Sequence, residues 1–232
     1  MQIIVPLAGP GYFQNGQVKG LEKAFNGEPQ LLHTLNSRPW SIDKENLYIF
    51  ILQDSIESRK FAENHIKKWF KNSKFIYLSN YAEGAALSAV SAISLLSLNN
   101  EDPIIFDLAD IYFEADRNPD FSKLFINCSF IGYAFKSQLP IYSYFKLKDG
   151  NIIETKEKEV ISDNASAGVY IYKSKAIFLE AFTNVIKNPY AYTHNKLLFL
   201  APVLNGLTKK GHIAKLIKVK KYIDYKKLPN SL

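Results

Sequence analysis

The sequence predicts an α/β fold with one mostly parallel sheet, helices on both of its faces and a mixed, antiparallel second half. Strand and helix patterns alternate up to about residue 108, and short β-branched and aromatic segments dominate after residue 129. With 232 residues, of which 47% are hydrophobic, the chain is long enough to bury one core. We therefore expect a single domain over residues 1–232, with residues 1–115 and 116–232 as its two halves.

The first half alternates strands with helices. Its predicted strands are residues 3–7, 47–53, 75–78 and 103–108, and its predicted helices are residues 29–36, 56–70 and 84–98. Each strand is a short apolar run, and the second helix has an apolar stripe amid lysines. Because parallel neighbours need a crossover connection, usually a helix, this alternation predicts a largely parallel sheet.

The second half is richer in strands. The predicted strands are residues 129–135, 142–147, 152–155, 168–172, 212–219 and 222–223, and the predicted helices are residues 176–186 and 197–210. Asp149 and Gly150 lie between two of these strands, and an Asp-Gly pair is typical of a tight hairpin turn. The sheet is therefore expected to become mixed in this half.

Composition excludes several classes of protein. The single cysteine, Cys128, excludes an internal disulfide and a multi-cysteine metal site. No apolar run approaches the roughly 20 residues of a membrane-spanning helix, and the first residues lack the basic stretch of a secretion signal. We therefore expect a cytoplasmic protein with no membrane partner.

The positive charge is concentrated near the end of the chain. The net charge is +7, and residues 209–227 alone hold eight lysines and one acid, Asp224. The rest of the chain is nearly neutral, which argues against a nucleic-acid partner, because such proteins carry a broad basic face. The lysines are interpreted either as a solvated fringe on a last strand or as a means of attracting a phosphate-bearing substrate.

Three groups follow predicted strands, where ligands collect in an open parallel sheet. They are the glycine turn at residues 9–11, the turn Glu83-Gly84-Ala85 and the carboxylate of Asp110. Backbone N–H groups of a glycine turn can bind phosphate, and Asp110 or Asp107 can hold Mg²⁺ against phosphate oxygens. A simple tight turn and a capping aspartate are alternative interpretations. No metal-binding histidine pattern or serine elbow is present in the sequence.

Five segments together match the pattern of one enzyme family. They are residues 3–11, Asn26-Gly27-Glu28-Pro29, Glu83-Gly84-Ala85-Ala86, Leu108-Ala109-Asp110 and a block over residues 142–170. Across roughly residues 1–210 the chain resembles the sugar-phosphate nucleotidylyltransferases, especially the branch that serves capsules and other surface glycans. The resemblance implies a GT-A-like, Rossmann-type α/β domain.

The resemblance also implies a reaction. A phosphorylated sugar or similar small molecule would attack the α-phosphate of a nucleoside triphosphate in line, and pyrophosphate would leave with the help of Mg²⁺. Residues 1–115 would bind the nucleotide and residues 116–232 the acceptor. Exposed edge strands in the second half would permit a homo-oligomer.

Individual residues take roles from the same resemblance. Lys19 and Asp110 would be catalytic, and the nucleotide-binding residues would be Leu7, Ala8, Gly9, Gly11, Glu83 and Gly84. The acceptor-binding residues would be Tyr142, Glu157, Lys158 and Gly168. Asp110 and Asp224 would hold the metal, although Asp224 is equally compatible with the start of a last helix.

The chain departs from the family pattern in its catalytic loop. Where the family reads Gly-x-Gly-x-Arg, this chain has Phe13 in the arginine position, and Lys19 lies one residue further from Asn26 than the family lysine. A family threonine after the Glu83-Gly84 turn and the family's C-terminal signature are both missing. Charge-stabilising groups of this kind are worth about 10²–10³-fold in rate.

Three functions are therefore compatible with the sequence. The first is a Mg²⁺-dependent nucleotidylyltransferase, and the second is a homologue that binds a nucleotide or sugar but has lost activity. The third is a GT-A glycosyltransferase that would use Asp107 and Asp110 as a metal motif, although such enzymes usually present Asp-x-Asp.

Overall fold

A nine-stranded sheet is the framework of the chain in the computed structural model, which describes residues 1–14, 16–95, 101–115 and 119–225. In chain order the strands are β1 (Gln2–Pro6), β2 (Phe13–Gln14), β3 (Gln17–Val18), β4 (Leu47–Gln53), β5 (Ser73–Leu78), β6 (Ile104–Asp107), β7 (Ile111–Glu114), β8 (Phe130–Lys136), β9 (Ser143–Lys148), β10 (Asn151–Glu157), β11 (Asn164–Tyr172), β12 (Ala214–Lys218) and β13 (Lys221–Asp224). β2 pairs with β3 and β7 pairs with β13, so these four strands form two separate ribbons outside the main sheet.

The parallel part of the sheet has the order β6-β1-β4-β5. The chain leaves β1 for β4 on one side and later returns to β6 on the other side, so the strand order reverses at β1. Residues Ile3, Ile4 and Val5 of β1 are fully buried, as expected for a strand covered on both faces. A reversal of this kind opens a crevice at the carboxyl ends of β1 and β6, where ligands bind in such sheets.

The antiparallel part is built around β11. This strand runs antiparallel to β6 and β8, and its register shifts between Ser166 and Tyr170. Near its start, Ala165 also pairs with Tyr144 of β9, which forms a hairpin with β10. Asp149 (φ 51°) and Gly150 (φ 72°) make the hairpin turn, which confirms the turn predicted from these two residues.

Helices cover both faces of the sheet. The α-helices are α1 (Gln30–Asn36), α2 (Ile56–Phe61), α3 (Lys67–Trp69), α4 (Ala85–Leu95), α5 (Phe121–Leu124), α6 (Lys175–Ile186), α7 (Leu200–Val203) and α8 (Asn205–Thr208), and a π-helical stretch, Ala62–Ile66, joins α2 to α3. Leu35 and Phe61 belong to the core on one face, whereas Ala89 and Phe178 belong to the core on the other. The predicted fold class is confirmed. None of the described helices is long and apolar enough to cross a bilayer.

The predicted helix over residues 197–210 is wrong at its start. α7 begins at Leu200, because the backbone of Leu198 is bonded elsewhere: its N–H donates to the Glu83 carbonyl (2.9 Å) and its carbonyl accepts from the Ala86 N–H (3.1 Å). The sequence patterns also missed β2, β3, β7 and α5. The ends of the predicted helix over 84–98 and of the lysine-rich stretch, at residues 96–98 and 226–227, lie outside the described residues.

Candidate functional site

Lys19 and Asp110 meet in the crevice between β1 and β6. Lys19 follows the loop after β1, and Asp110 follows the end of β6. The distance between Lys19 Nζ and Asp110 Oδ1 is 3.5 Å, and the two side chains are 25% and 26% exposed. Two residues that are 91 positions apart are thus brought together, and both remain open to a ligand from solvent.

A buried ion pair lies behind Asp110. Both oxygens of Asp107 accept hydrogen bonds from Arg38, from Nε at 2.6 Å and from Nη2 at 2.9 Å, and neither side chain is exposed. Arg38 also donates through Nη1 to the carbonyl of Ile111 (3.0 Å), and its guanidinium lies over the ring of Phe113. The pair therefore holds the chain on both sides of Asp110.

The backbone between Asp107 and Asp110 has an uncommon conformation. Ala109 has φ 52°, in the left-handed region that residues with a Cβ rarely adopt. Its N–H donates to Asp107 Oδ1 (2.9 Å), and the N–H of Leu108 donates to the carbonyl of Gly168 (2.9 Å). Gly168 has φ 75°, and a Cβ there would stand 3.3 Å from Leu108 Cβ. The carboxylate of Asp110 is thus presented by a strand end that is fixed from two directions.

Asp224 reaches the same region from the other end of the chain. It is the last residue of β13 and stands opposite Ile111, the neighbour of Asp110, in the ribbon with β7. Asp224 is 7% exposed and accepts a hydrogen bond from the Tyr142 hydroxyl. Burial and this carboxylate raise the pKa of Tyr142 far above its usual range. Residues 226–232, where a last helix would continue, lie outside the described part.

The chemistry of this pair suits Mg²⁺. Mg²⁺ is usually held by one or two carboxylates, with water and phosphate oxygens completing its ligands. Asp110 directly precedes β7, and Asp224 ends the partner strand β13; the part of the chain that the structure describes has no cluster of three metal-binding side chains. Asp107 does not add a third ligand, because Arg38 occupies both of its oxygens.

A chain of hydrogen bonds links Gly168 to Glu157. The Gly168 N–H donates to Ser166 Oγ (3.1 Å), and the Ser166 hydroxyl donates to Tyr170 Oη (3.0 Å). Tyr170 is also bonded to Ser143, whose hydroxyl donates to the Glu157 carboxylate. Burial, together with the charge of Glu157, raises the pKa of Tyr170 well above its usual range. The bonds fix the orientation of the Glu157 carboxylate.

Lys158 is the exposed cation next to Glu157. It has φ 54°, its N–H donates to the carbonyl of Tyr142 (2.9 Å), and its Nζ lies 5.4 Å from the centre of the Phe199 ring. The left-handed backbone turns the chain sharply after β10, so that Glu157 and Lys158 leave the strand in different directions. Predicted acceptor residues Tyr142, Glu157 and Lys158 thus lie at one end of the β9–β10 hairpin.

The Glu83-Gly84 turn is packed tightly against the segment before α7. Gly84 has φ 111°, and a Cβ at this position would overlap the backbone of Leu198. Glu83 is exposed beside it. Because Phe199 follows Leu198, this turn on the predicted nucleotide side is joined through the backbone to the ring that contacts Lys158.

Several solved structures share the fold of this chain. A nucleoside-diphosphate-sugar pyrophosphorylase from Vibrio cholerae matches with a TM-score of 0.80 and 21% identity, over 97% of this chain and 95% of that chain. An inositol-1-phosphate CTP transferase from T. maritima matches with a TM-score of 0.68 and 12% identity, over 100% and 91%. A UDP-glucose pyrophosphorylase complexed with UDP-glucose has a TM-score of 0.65 and 15% identity, over 94% and 91%. The chain has the fold of the sugar-phosphate nucleotidylyltransferases.

The likeness to these nucleotidylyltransferases is a likeness of fold. No protein-family model matches the sequence, and no curated protein matches it either. The resemblance predicted from the five segments is therefore confirmed in structure, at identities between 12% and 21%.

Within the nucleotidylyltransferase fold, the glycine loop of this chain is open. Gly9 is exposed and has nothing within 4 Å of a built Cβ, whereas the side chains of Leu7 and Ala8 are buried beneath it. The Tyr12 N–H donates to the Gly9 carbonyl (3.1 Å), which closes a turn that also contains Gly11. The exposed glycines leave space for a ligand beside their backbone.

Tyr12 and Phe13 follow the glycines and pack inwards. The ring of Phe13 lies 5.1 Å from Tyr12 and 6.1 Å from Phe61 on α2, centre to centre. The Tyr12 hydroxyl is buried and has no hydrogen-bond partner among the described residues. Burial, reinforced by the nearby Asp110 charge, raises the Tyr12 pKa well above its usual value. The position of the family arginine is thus occupied by a half-buried apolar ring that packs against the core.

Sequence reasoning missed four residues that build this site. Arg38 was noticed only for its distance from the glycine loop, and Ser143, Ser166 and Tyr170 only as parts of a matching block. A buried arginine leaves no periodic signal, since its pattern resembles that of any residue at the end of a helix. The alternation of Ser166 and Tyr170 with apolar residues along one strand was the available signal for the hydrogen-bond chain.

A cavity of about 300 Å³ lies beside Glu157, between β10 and the segment that leads into α7 and α8. Thr155 and Asn205 form part of its wall, and their amide and backbone groups pair with each other at 2.9 Å. Glu157 is one of the residues that line the cavity, whereas Lys19 and Asp110 are not.

Proposed function

We propose that this chain is a nucleotidylyltransferase that transfers a nucleoside monophosphate from a nucleoside triphosphate to a phosphorylated sugar or similar small molecule, with Mg²⁺ as cofactor. Residues 1–115 would bind the nucleotide, and residues 116–232 would bind the acceptor, within one domain. The fold and the five matching segments support this proposal. The surface-glycan branch that the segments resemble makes capsule or surface-glycan synthesis in the cytoplasm the expected setting.

The contact between Lys19 and Asp110 is the observation that carries the proposal. Transfer at a triphosphate needs positive charge near the α-phosphate and a carboxylate that can hold a divalent cation beside it. Both groups lie in the crevice where strand order reverses, 3.5 Å apart and partly exposed. An ion pair with only a structural role could lie anywhere on the surface and would not need to lie in this crevice.

Each residue has a separate task in the proposed reaction. The backbone of Gly9 and Gly11 binds phosphate oxygens, Leu7 and Ala8 shape the start of the loop, and Lys19 neutralises charge at the α-phosphate. Glu83 and Gly84 line the nucleoside, while Glu157 and Lys158 hold the acceptor, with Tyr142 and Gly168 supporting them. Asp110 and Asp224 would hold Mg²⁺, which supplies neutralisation of the phosphate charge when bound.

A second candidate is a homologue that binds nucleotide without turning it over. Phe13 favours this candidate, because it packs on Phe61 where the family loop carries an arginine. Of the arginines that the structure describes, Arg38 is engaged by Asp107, and Arg59 lies on α2 bonded to Asp54. A triphosphate would therefore depend on Lys19 and on backbone N–H groups. Lysine lacks the two-pronged geometry of arginine.

The third function considered, a glycosyltransferase with an Asp107–Asp110 metal motif, is disfavoured. Arg38 donates to both oxygens of Asp107 in a fully buried pair. A metal at Asp107 would have to break this pair.

Pyrophosphate release separates the two remaining candidates. The wild-type chain is incubated with each of ATP, CTP, GTP, UTP and dTTP, Mg²⁺ and a panel of phosphorylated sugars and amino alcohols. We expect pyrophosphate with one nucleotide and one class of acceptor. Asp110→Asn and Lys19→Ala should each lower kcat by about 10²–10³-fold, whereas Lys60→Ala, at an exposed lysine on α2, should leave kcat unchanged.

Nucleotide binding is measured in parallel, so that an absence of pyrophosphate release can be interpreted. A nucleotide that raises the melting temperature without any pyrophosphate release would favour the inactive homologue, because binding to the folded state must raise stability. Turnover that survives Asp110→Asn would contradict the proposed catalytic site. A chain that neither binds nor turns over any nucleotide would contradict both candidates.

A further inference from the structure

The Arg38–Asp107 pair is out of reach of any ligand. Neither side chain is exposed, and Nε and Nη2 of Arg38 both donate to Asp107. Outside the pair, Arg38 Nη1 donates to the Ile111 carbonyl and to Ser37 Oγ, and the Ala109 N–H donates to Asp107. The partners Ala109 and Ile111 are the two immediate neighbours of Asp110. Hydrogen bonds from the pair therefore hold the backbone on either side of Asp110, whose carboxylate is partly exposed.

Stability alone does not account for such a pair. Taking two charges out of water costs about as much as their attraction returns, and apolar residues of similar volume often serve a core equally well. What apolar residues cannot do is accept the Ala109 N–H and hold the chain in a left-handed conformation at a residue with a Cβ. The conformation of Ala109 determines where the next side chain, Asp110, points.

We propose that Arg38 is a positioning residue for the metal-binding carboxylate. Through Asp107 it holds Ala109 at φ 52° and, through the Ile111 carbonyl, it holds the other side of Asp110, so that this carboxylate stays beside Lys19. The carbonyl of Gly168 adds a further restraint, because it accepts a hydrogen bond from the Leu108 N–H. This inference rests on the proposed function in one respect, the role of Asp110 as a metal ligand.

The test uses variants of the full chain in which the pair is removed without leaving a buried charge. The double variant Arg38→Met/Asp107→Leu keeps the volume of both side chains and removes both charges. Arg38→Lys is an independent second variant, which keeps a cation but not the two-pronged geometry. Val185→Ala, on α6 in the core of the opposite face of the sheet, is the control for lost stability.

The first measurement is binding of Mn²⁺, used as a probe for Mg²⁺, by electron paramagnetic resonance. Wild type is expected to bind the ion, and Asp110→Asn sets the level of a lost site. The double variant should bind Mn²⁺ at least ten-fold more weakly than wild type, and Arg38→Lys should bind it less tightly than wild type. Val185→Ala should bind it as wild type does. Melting temperatures identify which variants are folded.

The second measurement is turnover of the nucleotide. A carboxylate displaced by about 1 Å costs on the order of 10²-fold in rate, so kcat of the double variant should fall by this factor while the nucleotide KM changes less than three-fold. A loss of stability alone, as in Val185→Ala, moves neither constant in the folded protein.

Two results would overturn the inference. One is a folded double variant, or a folded Arg38→Lys variant if the double variant does not fold, with the Mn²⁺ affinity of wild type. The other is a wild type that binds no Mn²⁺, because Arg38 would then have no metal site to position. Failure of the proposed reaction is distinct: wild type would release no pyrophosphate, yet its Mn²⁺ affinity would still respond to Arg38.

Discussion

The end of β6 and the glycine loop after β1 face each other across one crevice, but they are built in opposite ways. At the end of β6, Asp107 and Arg38 form a buried pair, and Gly168 bonds to Leu108. On the loop, Gly9 is exposed with open space around it. The side that carries the carboxylate is held by buried hydrogen bonds, whereas Gly9, on the side that would meet the phosphates, is exposed to solvent.

This contrast separates two requirements of the proposed chemistry. A metal-binding carboxylate has to be in place before the ligand arrives, because an error of about 1 Å is costly. A glycine loop binds through backbone N–H groups, which can adjust to the phosphates. The hydrogen-bonded support is present at the end of β6, whereas Phe13 stands where the family that the sequence resembles has an arginine.

Breaking the fixed side should have the largest effect. Asp107→Ala leaves Arg38 buried without its partner, and loss of one member of a buried pair costs about 3–5 kcal/mol of unfolding free energy. Urea denaturation measures the loss. The control is Asp54→Ala, which breaks the exposed pair with Arg59 and should change nothing measurable. Equal losses of unfolding free energy in the two variants would show that the Arg38–Asp107 pair does not stabilise the end of β6.

A second prediction compares one glycine from each side. Gly168→Ala forces a Cβ into the left-handed region and against Leu108, so it should lower the unfolding free energy by roughly 1–3 kcal/mol. Gly9→Ala meets open space and needs no left-handed backbone, so it should stay within about 0.5 kcal/mol of wild type. Thermal denaturation of both variants checks the order, and the reverse order would contradict the comparison.

Two tyrosines give a third prediction with opposite signs. Tyr12→Phe removes a buried hydroxyl that has no hydrogen-bond partner, so the unfolding free energy should rise by about 1 kcal/mol. Tyr170→Phe removes a hydroxyl that is bonded to Ser166, so the unfolding free energy should fall by about 1 kcal/mol. Chemical denaturation under identical conditions measures both. A Tyr12→Phe variant less stable than wild type would mean that this hydroxyl has a partner.

The smallest expected effect is a dependence of stability on pH through His33. Nδ1 of His33 lies 2.6 Å from the Tyr225 hydroxyl, and burial lowers the pKa of His33 below its usual value, although Glu28 opposes the shift. Between that usual value, about 6.5, and the lower folded value, the unfolded chain binds more protons. Stability should therefore fall as pH is lowered through this window and be fully present above it.

His33→Gln removes the titrating group and provides the comparison. Unfolding free energies of both proteins are measured by urea denaturation at pH 7 and pH 5. The acidic groups contribute to the pH dependence of stability in both proteins. The contribution of His33 is therefore the difference between the changes in unfolding free energy of wild type and variant. Wild type should lose more stability than the variant between the two pH values, and parallel losses would contradict the assignment to His33.

Much of the parallel half could be predicted from the sequence. Apolar runs such as residues 47–53 and 103–108 have few alternatives to a buried strand, and the helices between them require parallel pairing. β7 could not be predicted in the same way, because it is four residues long and gains its stability from its partner, β13. The start of α7 was missed for a similar reason, since a distant contact with Glu83 decides it.

The candidate site could be predicted only in part. The resemblance to the family led to Lys19 and Asp110, and the reversal of strand order explains why they meet. The support behind them could not be found, because the bond from Arg38 to Asp107 spans 69 residues and has no periodic pattern. The packing of the Phe13 ring on Phe61 could not be predicted either, because the sequence is equally compatible with a ring that faces solvent.

The position of β13 has a consequence for how the protein is made. Asp224 reaches the neighbourhood of Asp110 only when β13 pairs with β7, and this ribbon is separate from the nine-stranded sheet. During synthesis, every strand of that sheet leaves the ribosome before Asp224 does. The chain can therefore complete its main sheet before Asp224 joins the region of Asp110, so the proposed pair of metal-binding carboxylates would form only after that sheet.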